Sequence, residues 1–325
     1  SMSSFPSNNV PKSELVRTFA RFLLDFRFVR TNCEASILTC AKHAKRIMEA
    51  IVFVSASLLF VPGSRSDRFA KARAAGAGLT VIDLEDAVAA SDRDSARSAA
   101  LTQLASDPQG WAIRINGVRT AAGVRDLAAL IDAAVLPEML LVPMVEAASD
   151  LAVIAGALGD RCPQLIPLIE TPRGLRHARA IASHAKVEAM MFGGGDFSGE
   201  LGVELSWEPL LLARQQFVLA CAEARKPAID VPFIRLDDAA GLAEECARAR
   251  AIGFAAKAAI HPAQLAAIAA AFIPNEAEVA EAREALAAYE AGGGQAIRFR
   301  GRMLEAPFII RYRAIIARHE EQTNA

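Results

Sequence analysis

The chain has 325 residues, of which 53% are hydrophobic and 22% are charged. This composition excludes a disordered or collagen-like protein, and the length suits one large barrel-type domain or two ordinary domains. The 36 lysines and arginines nearly balance the 37 aspartates and glutamates. Such a chain has no overall field to attract nucleic acid or an anionic membrane, so we expect neither partner.

The cysteines and histidines argue against a disulfide framework and a zinc site. The five cysteines are odd in number and form no C-x-x-C motif, which favours a reducing cytoplasm. No two of the five histidines have H-x-x-x-H spacing. We therefore expect no histidine-bound metal.

Residues 1–50 read as an N-terminal extension, in part the remnant of an expression tag. Basic residues precede the apolar run Ile51–Val61 in the order of a signal peptide, but Glu49 intrudes and Pro62 ends the run like a strand. The run is also shorter than the roughly 20 residues of a membrane-spanning helix. Two interpretations of the segment before Met48 stay open: native residues, or read-through upstream of the true start.

From Ser57 onward, β-branched apolar runs alternate with Ala-rich amphipathic stretches in eight repeats. The runs begin near Ser57, Thr80, Trp111, Met139, Leu165, Ala189, Ala228 and Ala255. Each interval has room for one helix and two loops, so the pattern predicts a (β/α)8 TIM barrel over residues 51–275. The alternative, a doubly wound sheet, would place a glycine-rich phosphate loop after the first strand, where Pro62-Gly63-Ser64-Arg65 stands instead.

Helices are predicted between the strands and after the last of them. Those between strands cover Asp67–Ala75, Arg119–Ala134, Ala147–Leu158 and Arg173–Ser183, the last with Pro172 in its first turn. Residues 276–325 are predicted as a C-terminal helical tail. It comprises a helix over Glu276–Ala291, a short segment over Ala296–Arg302 and a final helix from about Pro307.

Polar residues recur where the predicted strands end, which is the catalytic face of a TIM barrel. In chain order they are Arg65, Asp83, Glu85, Asp86, Arg114, Asn116, Glu146, Glu170, Asp196, Asp230, Lys257 and His261. Charges in apolar runs are costly to bury unless they are paired or bound to metal, so their repetition indicates a site. Asp83 and Asp230 are expected to support or pack, and His261 either acts at the site or only shapes a strand end.

Glu170 and Asp196 end neighbouring strands and should point to one spot at the barrel mouth. Two carboxylates with few other protein ligands suit Mg²⁺, which keeps several waters and completes its shell with substrate oxygens. The glycines at 193–195 would let backbone or ligand approach closely. The alternative is a structural carboxylate pair, with one member protonated or each bonded to an arginine.

Arg114, in the third predicted strand, should reach the same cavity. Its guanidinium can clamp a carboxylate or stabilise a developing oxyanion. The alternative is a buried ion pair with Glu85 or Asp86.

Several motifs occur in a fixed order between Ser57 and Arg318. They are LLFVPGSR, VIDLEDAV, IRIN, LIPLIETPRGL, MFGGGDF, AIDVPF, AAIHPAQ and GRMLEAP. Together they resemble the citrate lyase beta subunit-like group of the HpcH/HpaI aldolase superfamily, which includes citryl-CoA, malyl-CoA and citramalyl-CoA lyases. The resemblance implies a Mg²⁺-dependent carbon–carbon lyase that cleaves a 3-hydroxyacyl-CoA into acetyl-CoA and a 2-oxo acid.

The resemblance also implies roles for individual residues. Glu170 and Asp196 would hold Mg²⁺, and Arg114 and Glu170 would bind substrate, with Arg114 also stabilising charge in catalysis. Basic residues after the first strand are candidates for contacts with the CoA thioester: Arg65 on the substrate, and Arg68 and Lys71 on CoA.

In relatives, an acid of the C-terminal tail enters the active site of the neighbouring subunit. The matching residue here is Glu305, which would act as the catalytic acid or base. The resemblance therefore implies a homo-oligomer, with a trimer favoured, and it accounts for a tail outside the eight-unit count.

Three positions depart from the family pattern. Relatives usually have aspartate at Glu305, lysine at Met144 and an acidic residue at Gly195. The departures leave three alternatives open: a citrate lyase beta subunit active only within a complex, a non-catalytic CoA-thioester-binding relative, and a metal-dependent aldolase of free hydroxy-oxo acids. The missing lysine and small residues around the mouth would tolerate a methyl group, which favours citramalyl-CoA as substrate.

Overall fold

The computed structural model describes residues 55–324. The predicted N-terminal extension, residues 1–50, lies outside the described residues, as does the start of the apolar run at Ile51.

Eight parallel strands pair in sequence order and close through β1 and β8 into a barrel. They are β1 (Ser57–Pro62), β2 (Leu79–Asp83), β3 (Trp111–Arg114), β4 (Met139–Val142), β5 (Gln164–Ile169), β6 (Met190–Phe192), β7 (Ala228–Asp230) and β8 (Ala256–Ala259). The first residue of every predicted run lies within one residue of the first residue of an observed strand. The prediction of a (β/α)8 barrel is therefore confirmed.

Alternation along each strand divides its side chains between the barrel interior and the surrounding helices. The interior is a separate apolar cluster, to which Leu58, Val81, Ala112, Leu168, Met191, Ile229 and Ala258 belong. The outward side chains join the larger core between strands and helices. Which side chains reach the mouth is therefore set by the parity of their position in the strand.

The described chain contains eleven α-helices. They are α1 (Phe69–Ala74), α2 (Arg93–Ser106), α3 (Ala121–Asp132), α4 (Ala148–Leu158), α5 (Pro172–Ala182), α6 (Gly194–Leu201), α7 (Trp207–Glu223), α8 (Ala239–Ile252), α9 (Leu265–Phe272), α10 (Glu276–Ala291) and α11 (Ala306–Asn324). None of the helices in the described residues is long and apolar enough to cross a membrane.

The unit between β6 and β7 differs from the predicted single helix, because it holds both α6 and α7. The first of them, α6, starts within the glycines at 193–195, where the sequence predicts only a point of close approach. It ends at Gly202, whose left-handed backbone (φ 68°) favours glycine. The chain therefore places a short helix directly above the barrel mouth.

The tail consists of α10, a hairpin and α11. Asn275 caps α10 by accepting the backbone N–H of Glu278. The short predicted segment forms a hairpin of β9 (Ile297–Phe299) and β10 (Arg302–Leu304). Arg300 and Gly301 form its two-residue turn, both at positive φ as the favoured hairpin turns require. Leu304 packs with residues of α10 and α11 in a small apolar cluster.

The end of α11 is anchored to the barrel at the side opposite the mouth. Arg318 donates hydrogen bonds to the carbonyl oxygens of Ala255, just before β8, and Phe272, at the end of α9. The tail is thus fixed at the N-terminal face of its own barrel, while catalytic chemistry in this fold occurs at the C-terminal face.

Candidate active site at the barrel mouth

A cavity of about 470 Å³ opens at the C-terminal ends of the strands. Its polar lining comes from Asp83, Asp86, Arg114, Glu170 and Asp196. Asp83, Arg114 and Glu170 each stand two residues after an inward-facing residue of their strand, so alternation directs them into the mouth. Three predicted site residues, Arg114, Glu170 and Asp196, therefore line one cavity.

Arg114 is surrounded by carboxylates. Its Nε and Nη2 donate to the two oxygens of Asp83 at 2.7 and 2.6 Å, and its Nη1 lies 3.1 Å from Asp86 and 3.2 Å from Glu85. Burial alone would lower the pKa of Arg114, but its bond to Asp83 and the neighbouring negative charges raise it above its ordinary value. Arg114 thus forms the ion pairs of the alternative interpretation, and it also lines the cavity.

Asp83 is the main partner of Arg114 and is itself fixed by the backbone. Its side chain is 1% exposed, and its two oxygens accept the N–H groups of Glu85 and Ala87 at 3.0 and 3.1 Å. Its predicted supporting role is therefore what the structure shows. The Arg114 guanidinium also lies over the ring of Phe60, 5.0 Å from its centroid, which fixes its plane.

Glu170 is buried at the floor of the mouth, 3% exposed. One of its oxygens, Oε2, accepts the backbone N–H of Met144 at 2.5 Å. Burial raises the pKa of Glu170 to about 7, and the negative charge of Asp196 adds to the rise. Gly193 passes so close that a Cβ there would collide with the Glu170 side chain. That glycine is therefore required for this carboxylate to fit.

Asp196 stands in the first turn of α6 and is exposed to the cavity. Partial burial raises its pKa, and the charge of Asp86 adds to the effect. Burial therefore disfavours the charged form of both members of the predicted pair. No group of three or more potential metal-binding side chains occurs among the described residues, and Glu170 and Asp196 offer a metal two carboxylate ligands in this cavity. That arrangement suits Mg²⁺, which retains waters and takes substrate oxygens.

Two of the departures from the family pattern lie beside this pair. Met144 adopts a left-handed backbone (φ 54°), which is uncommon for a residue with a side chain, and so aims its N–H at Glu170. The missing lysine therefore changes a side chain but leaves this backbone donor in place. Gly195 lines the cavity, and a Cβ there would meet nothing within 4 Å. Sterics alone do not exclude a larger residue at that position.

Glu85 is a residue whose environment the sequence did not reveal. Its side chain is 15% exposed, and its buried Oε2 lies 3.2 Å from Nη1 of Arg114 but accepts no well-formed hydrogen bond. Burial raises the pKa of Glu85 to about 9, and the charge of Glu170 adds to this although Arg114 opposes it. Burial therefore favours the protonated form of Glu85, while the guanidinium of Arg114 favours the carboxylate. The sequence placed Glu85 at the end of the second predicted strand, in the run LEDAV, but gave no sign that its side chain is buried.

The candidate CoA contacts do not line the cavity. Arg65 forms a two-point ion pair with Asp67 at 2.9 and 2.8 Å and is 45% exposed. Arg68 and Lys71 are exposed on the segment that follows β1. All three basic residues lie in the βα segment after β1, available to a ligand that extends beyond the mouth.

Asp230, the last residue of β7, and Lys257, the second residue of β8, do not reach the mouth. Strand alternation turns both outward, where Lys257 Nζ donates to Asp230 at 2.6 Å and to Glu245 at 2.7 Å. Arg214 Nε donates to the other oxygen of Asp230 at 3.0 Å. The placement of Lys257 at the mouth is therefore wrong, while the packing interpretation of Asp230 agrees with the structure.

Three other predicted positions are also engaged elsewhere. Glu146 pairs with Arg119 at 2.7 Å. The ring of His261 accepts the N–H of Ala263 at 3.2 Å, which caps a short turn of helix and agrees with the structural alternative. Glu305, between β10 and α11, is not among the residues that line this cavity in the described chain.

The chain matches two known families. The description HpcH/HpaI aldolase/citrate lyase matches residues 56–262, and C-C bond lyase of the TIM-barrel fold matches residues 214–318. Over 275 residues the chain is 34% identical to a (3S)-malyl-CoA thioesterase of Cereibacter sphaeroides, a match that covers 81% of this chain and 94% of that protein.

Two further relatives are similar in sequence or structure. A mitochondrial citramalyl-CoA lyase of Homo sapiens is 30% identical over 278 residues, covering 78% of this chain and 82% of that protein. The crystal structure of the protein CitE from Mycobacterium tuberculosis, in complex with magnesium, acetoacetate and coenzyme A, superposes with a TM-score of 0.73. It is 31% identical and covers 83% of this chain and 100% of that one. The prediction of a carbon–carbon lyase is thus confirmed at the level of the family, and the chain belongs to the HpcH/HpaI aldolase/citrate lyase family.

Proposed function

We propose that this protein is a Mg²⁺-dependent lyase that cleaves a 3-hydroxyacyl-CoA, with citramalyl-CoA favoured, into acetyl-CoA and a 2-oxo acid. The observation that carries the proposal is the pair Glu170 and Asp196 beside Arg114 in one cavity at the barrel mouth. The human relative named citramalyl-CoA lyase, and a relative solved with magnesium and coenzyme A, support the same reading.

Glu170 and Asp196 would hold the Mg²⁺. The raised pKa values of both carboxyls support this assignment, because a bound cation would offset the cost of charging two partly buried carboxylates. When bound, the ion supplies a Lewis acid for the carboxylate and hydroxyl oxygens of the substrate. Met144 keeps Glu170 in position by occupying one lone pair of Oε2.

The cleavage breaks the bond between C2 and C3 of the acyl chain. The C3 hydroxyl loses its proton and becomes the carbonyl of the 2-oxo acid, and the electron pair of the broken bond passes to C2 of the acetyl-CoA enolate. One proton returns to C2, so the step is balanced without an oxidant or reductant. Arg114, held by Asp83, would stabilise the negative charge that develops on oxygen.

Glu305 of a partner subunit would deliver the proton to C2, in a homo-oligomer for which we favour a trimer. This proposal is supported by the position of Glu305 on a tail anchored away from its own barrel mouth through Arg318. If the active site at the barrel mouth needs Glu305 from a second chain, the oligomer would be the active form of the enzyme.

Arg65, Arg68 and Lys71 would contact the CoA portion, whose phosphates carry negative charge. They follow β1 at the same end of the barrel as the cavity, and all three are exposed. We further propose a cytoplasmic location. The free, buried thiols of Cys162, Cys221 and Cys246 fit a reducing compartment.

The proposal is tested by incubating the purified chain with Mg²⁺ and, separately, with citramalyl-CoA, malyl-CoA and citryl-CoA. We expect free acetyl-CoA and a 2-oxo acid in equal amounts, with citramalyl-CoA cleaved fastest, and no product in EDTA. Turnover by the isolated chain excludes both a subunit active only within a complex and a non-catalytic binding protein.

The same assay separates lyase activity from thioester hydrolysis, which the name of the Cereibacter sphaeroides relative raises. Release of free CoA with an intact hydroxy acid would identify a thioesterase instead. Cleavage of the free hydroxy acids at the same rate as their CoA thioesters would identify an aldolase that does not require CoA.

A further inference from the structure

The lining of the mouth cavity divides into a polar and an apolar part. The polar residues come from β2, β3, β5 and β6 and the loops that follow them. The apolar residues of β7, β8, β1 and the loop before α7 occupy the rest of the ring, which we call the apolar arc. They are Phe60, Pro62, Leu205, Val231, Pro232, Ile234 and Ile260. The polar part of the ring also contains the apolar side chains of Ala87, Leu168 and Met191.

The apolar arc presents hydrophobic surface to solvent. Ile234 is 55% exposed and Ile260 is 42% exposed, although both line the cavity. An apolar group of a ligand that covers them would remove this surface from water, which favours binding in proportion to the area.

The arc also has no cation to pair with an anionic group. Arg235, next to Ile234, lies over the ring of Phe233 and is paired with Asp238 at 3.1 Å. His261, next to Ile260, uses its Nδ1 lone pair to cap a helix turn. Among the described residues that line the cavity, Arg114 is the cation, and it belongs to the polar part.

Lys257 lies behind the arc but is committed to other partners. Its ammonium group is fully buried and donates to Asp230, to Glu245 and to the carbonyl oxygen of Val231. It therefore offers no free donor to the cavity. A carboxylate placed against the arc would lose its hydration without gaining an ion pair.

Connectivity of the substrate directs one substituent toward the arc. C3 carries a hydroxyl, a carboxylate, the acyl-CoA arm and a fourth substituent. The first two would be held by the metal of Glu170, just after β5, and Asp196, in the helix after β6, and the next strand around the ring is β7. With the acyl-CoA arm leading out of the mouth toward the basic residues after β1, the fourth substituent would face Val231, Ile234 and Ile260.

We propose that the apolar arc is the specificity-determining surface of this enzyme and selects substrates whose C3 carries an alkyl group. The 2-oxo acid product is then a monocarboxylate with a methyl or ethyl side chain. A hydrogen at C3, as in malyl-CoA, leaves the arc uncovered, and the carboxymethyl group of citryl-CoA places an unpaired charge on it. This inference rests on the proposed lyase function and adds the residues that decide between substrates.

The test compares kcat/KM for four thioesters in the acetyl-CoA assay: citramalyl-CoA, its homologue with ethyl in place of methyl, malyl-CoA and citryl-CoA. We expect both alkyl substrates to exceed malyl-CoA and citryl-CoA by at least roughly tenfold, the lower range for a methylene in an apolar pocket.

A variant of the arc should then change the preference between citramalyl-CoA and citryl-CoA. Ile260→Arg supplies the missing cation and should raise the ratio of citryl-CoA to citramalyl-CoA turnover by roughly a hundredfold or more. Ile131→Arg is the matched control, since Ile131 is 45% exposed on α3 and away from the cavity, and it should leave the ratio unchanged. Val231→Ala, which needs no new charge, should shift preference from methyl toward ethyl.

The outcomes separate the two claims. If the wild type releases acetyl-CoA from none of the four, the proposed function and this inference fall together. If it cleaves citryl-CoA or malyl-CoA best, the lyase function stands and the role of the arc is overturned. An Ile260→Arg protein that changes its oligomeric state and keeps the wild-type ratio would show that a partner chain, not the substrate, covers the arc.

Discussion

Arg114 is positioned before any substrate arrives. Two of its nitrogens are held by Asp83, whose own oxygens are fixed by backbone N–H groups. A guanidinium fixed in this way needs little reorganisation when charge develops beside it, which is the condition for strong electrostatic stabilisation. The carboxylates around Arg114 add negative charge to the mouth. A divalent cation bound there would offset this charge and so allow an anionic substrate to bind.

Arg114→Lys tests this role. Lysine keeps the charge but cannot make the two-point bond to Asp83, so we expect kcat/KM to fall by roughly 10²–10³-fold, the usual effect of losing one such stabilising donor. Steady-state kinetics measures the loss of activity, and thermal melting measures any loss of stability.

Arg97→Lys is the matched control for this variant. Arg97 has the same 12% exposure and bonds to a buried aspartate, Asp126, at 2.6 Å, but it does not line the cavity. It should lose a similar amount of stability and keep its activity. Equal losses of activity in both variants would mean that Arg114 acts only through the fold.

Asp196→Asn tests the metal pair. The substitution keeps the shape of the side chain but removes the charge that Mg²⁺ requires, so we expect Mg²⁺ binding by calorimetry and turnover both to be lost, with the circular dichroism spectrum retained. Glu200→Gln, on the exposed face of the same helix, is the control. Full activity of Asp196→Asn, or of the wild type in EDTA, would contradict the assignment.

At the scale of the elements, the strand positions could be predicted because each apolar run is short and bounded. The mouth residues Arg114 and Glu170 follow from the same runs. Lys257 could have been excluded by alternation, since Ala256 and Ala258 face inward. Helix α6 could not be predicted, because glycines at its start resemble a turn. The raised pKa of Glu85 could not be predicted either, because it depends on burial that only the folded structure shows.

A buried charge cluster joins the outward faces of β7 and β8 to helices α7 and α8. It consists of Asp230, Lys257, Arg214 and Glu245. Burial alone would raise the pKa of Asp230, but the positive charges of Lys257 and Arg214 lower it. Because the folded pKa lies below the unfolded one, the contribution of Asp230 to stability is present above its ordinary pKa and is lost as the pH falls through the folded value.

Asp230→Asn should destabilise the protein by about 3–5 kcal/mol, the usual cost of leaving buried charges without their partner. The free energy of unfolding in urea at neutral pH measures it. Glu208→Gln is the control, since it removes an exposed partner of Arg248 and should leave the free energy of unfolding nearly unchanged. A change for Asp230→Asn no larger than that of the control would show that the cluster is not a source of stability.

At the scale of the whole molecule, the position of the tail is the feature that a single chain leaves unexplained. Its hairpin exposes Met303 at 67%, and α11 exposes Phe308 at 50% and Ile310 at 70%. These apolar side chains flank Glu305 in the sequence. Exposed apolar side chains on both sides of an acidic residue support a tail that contacts a second copy of the chain.

Glu305→Gln tests the oligomer and the mechanism together. If Glu305 transfers the proton to C2, its loss should lower kcat by roughly 10²–10⁴-fold, the range for a positioned acid or base. Glu305→Asp should keep much of the activity, since it restores the residue usual in relatives, and Glu290→Gln, an exposed change in the same tail, should have no effect.

Mixing the Glu305→Gln and Asp196→Asn proteins decides whether the residue acts in trans. Each is inactive alone, but in a mixed oligomer the intact barrel of one subunit can receive the intact tail of the other. At equal amounts and free exchange, about one quarter of the sites in a closed ring combine both intact residues. We expect about that fraction of wild-type turnover after subunit exchange, verified by mass spectrometry of the mixed assembly. Verified exchange without any recovery would mean that Glu305 serves its own barrel or has no part in the reaction.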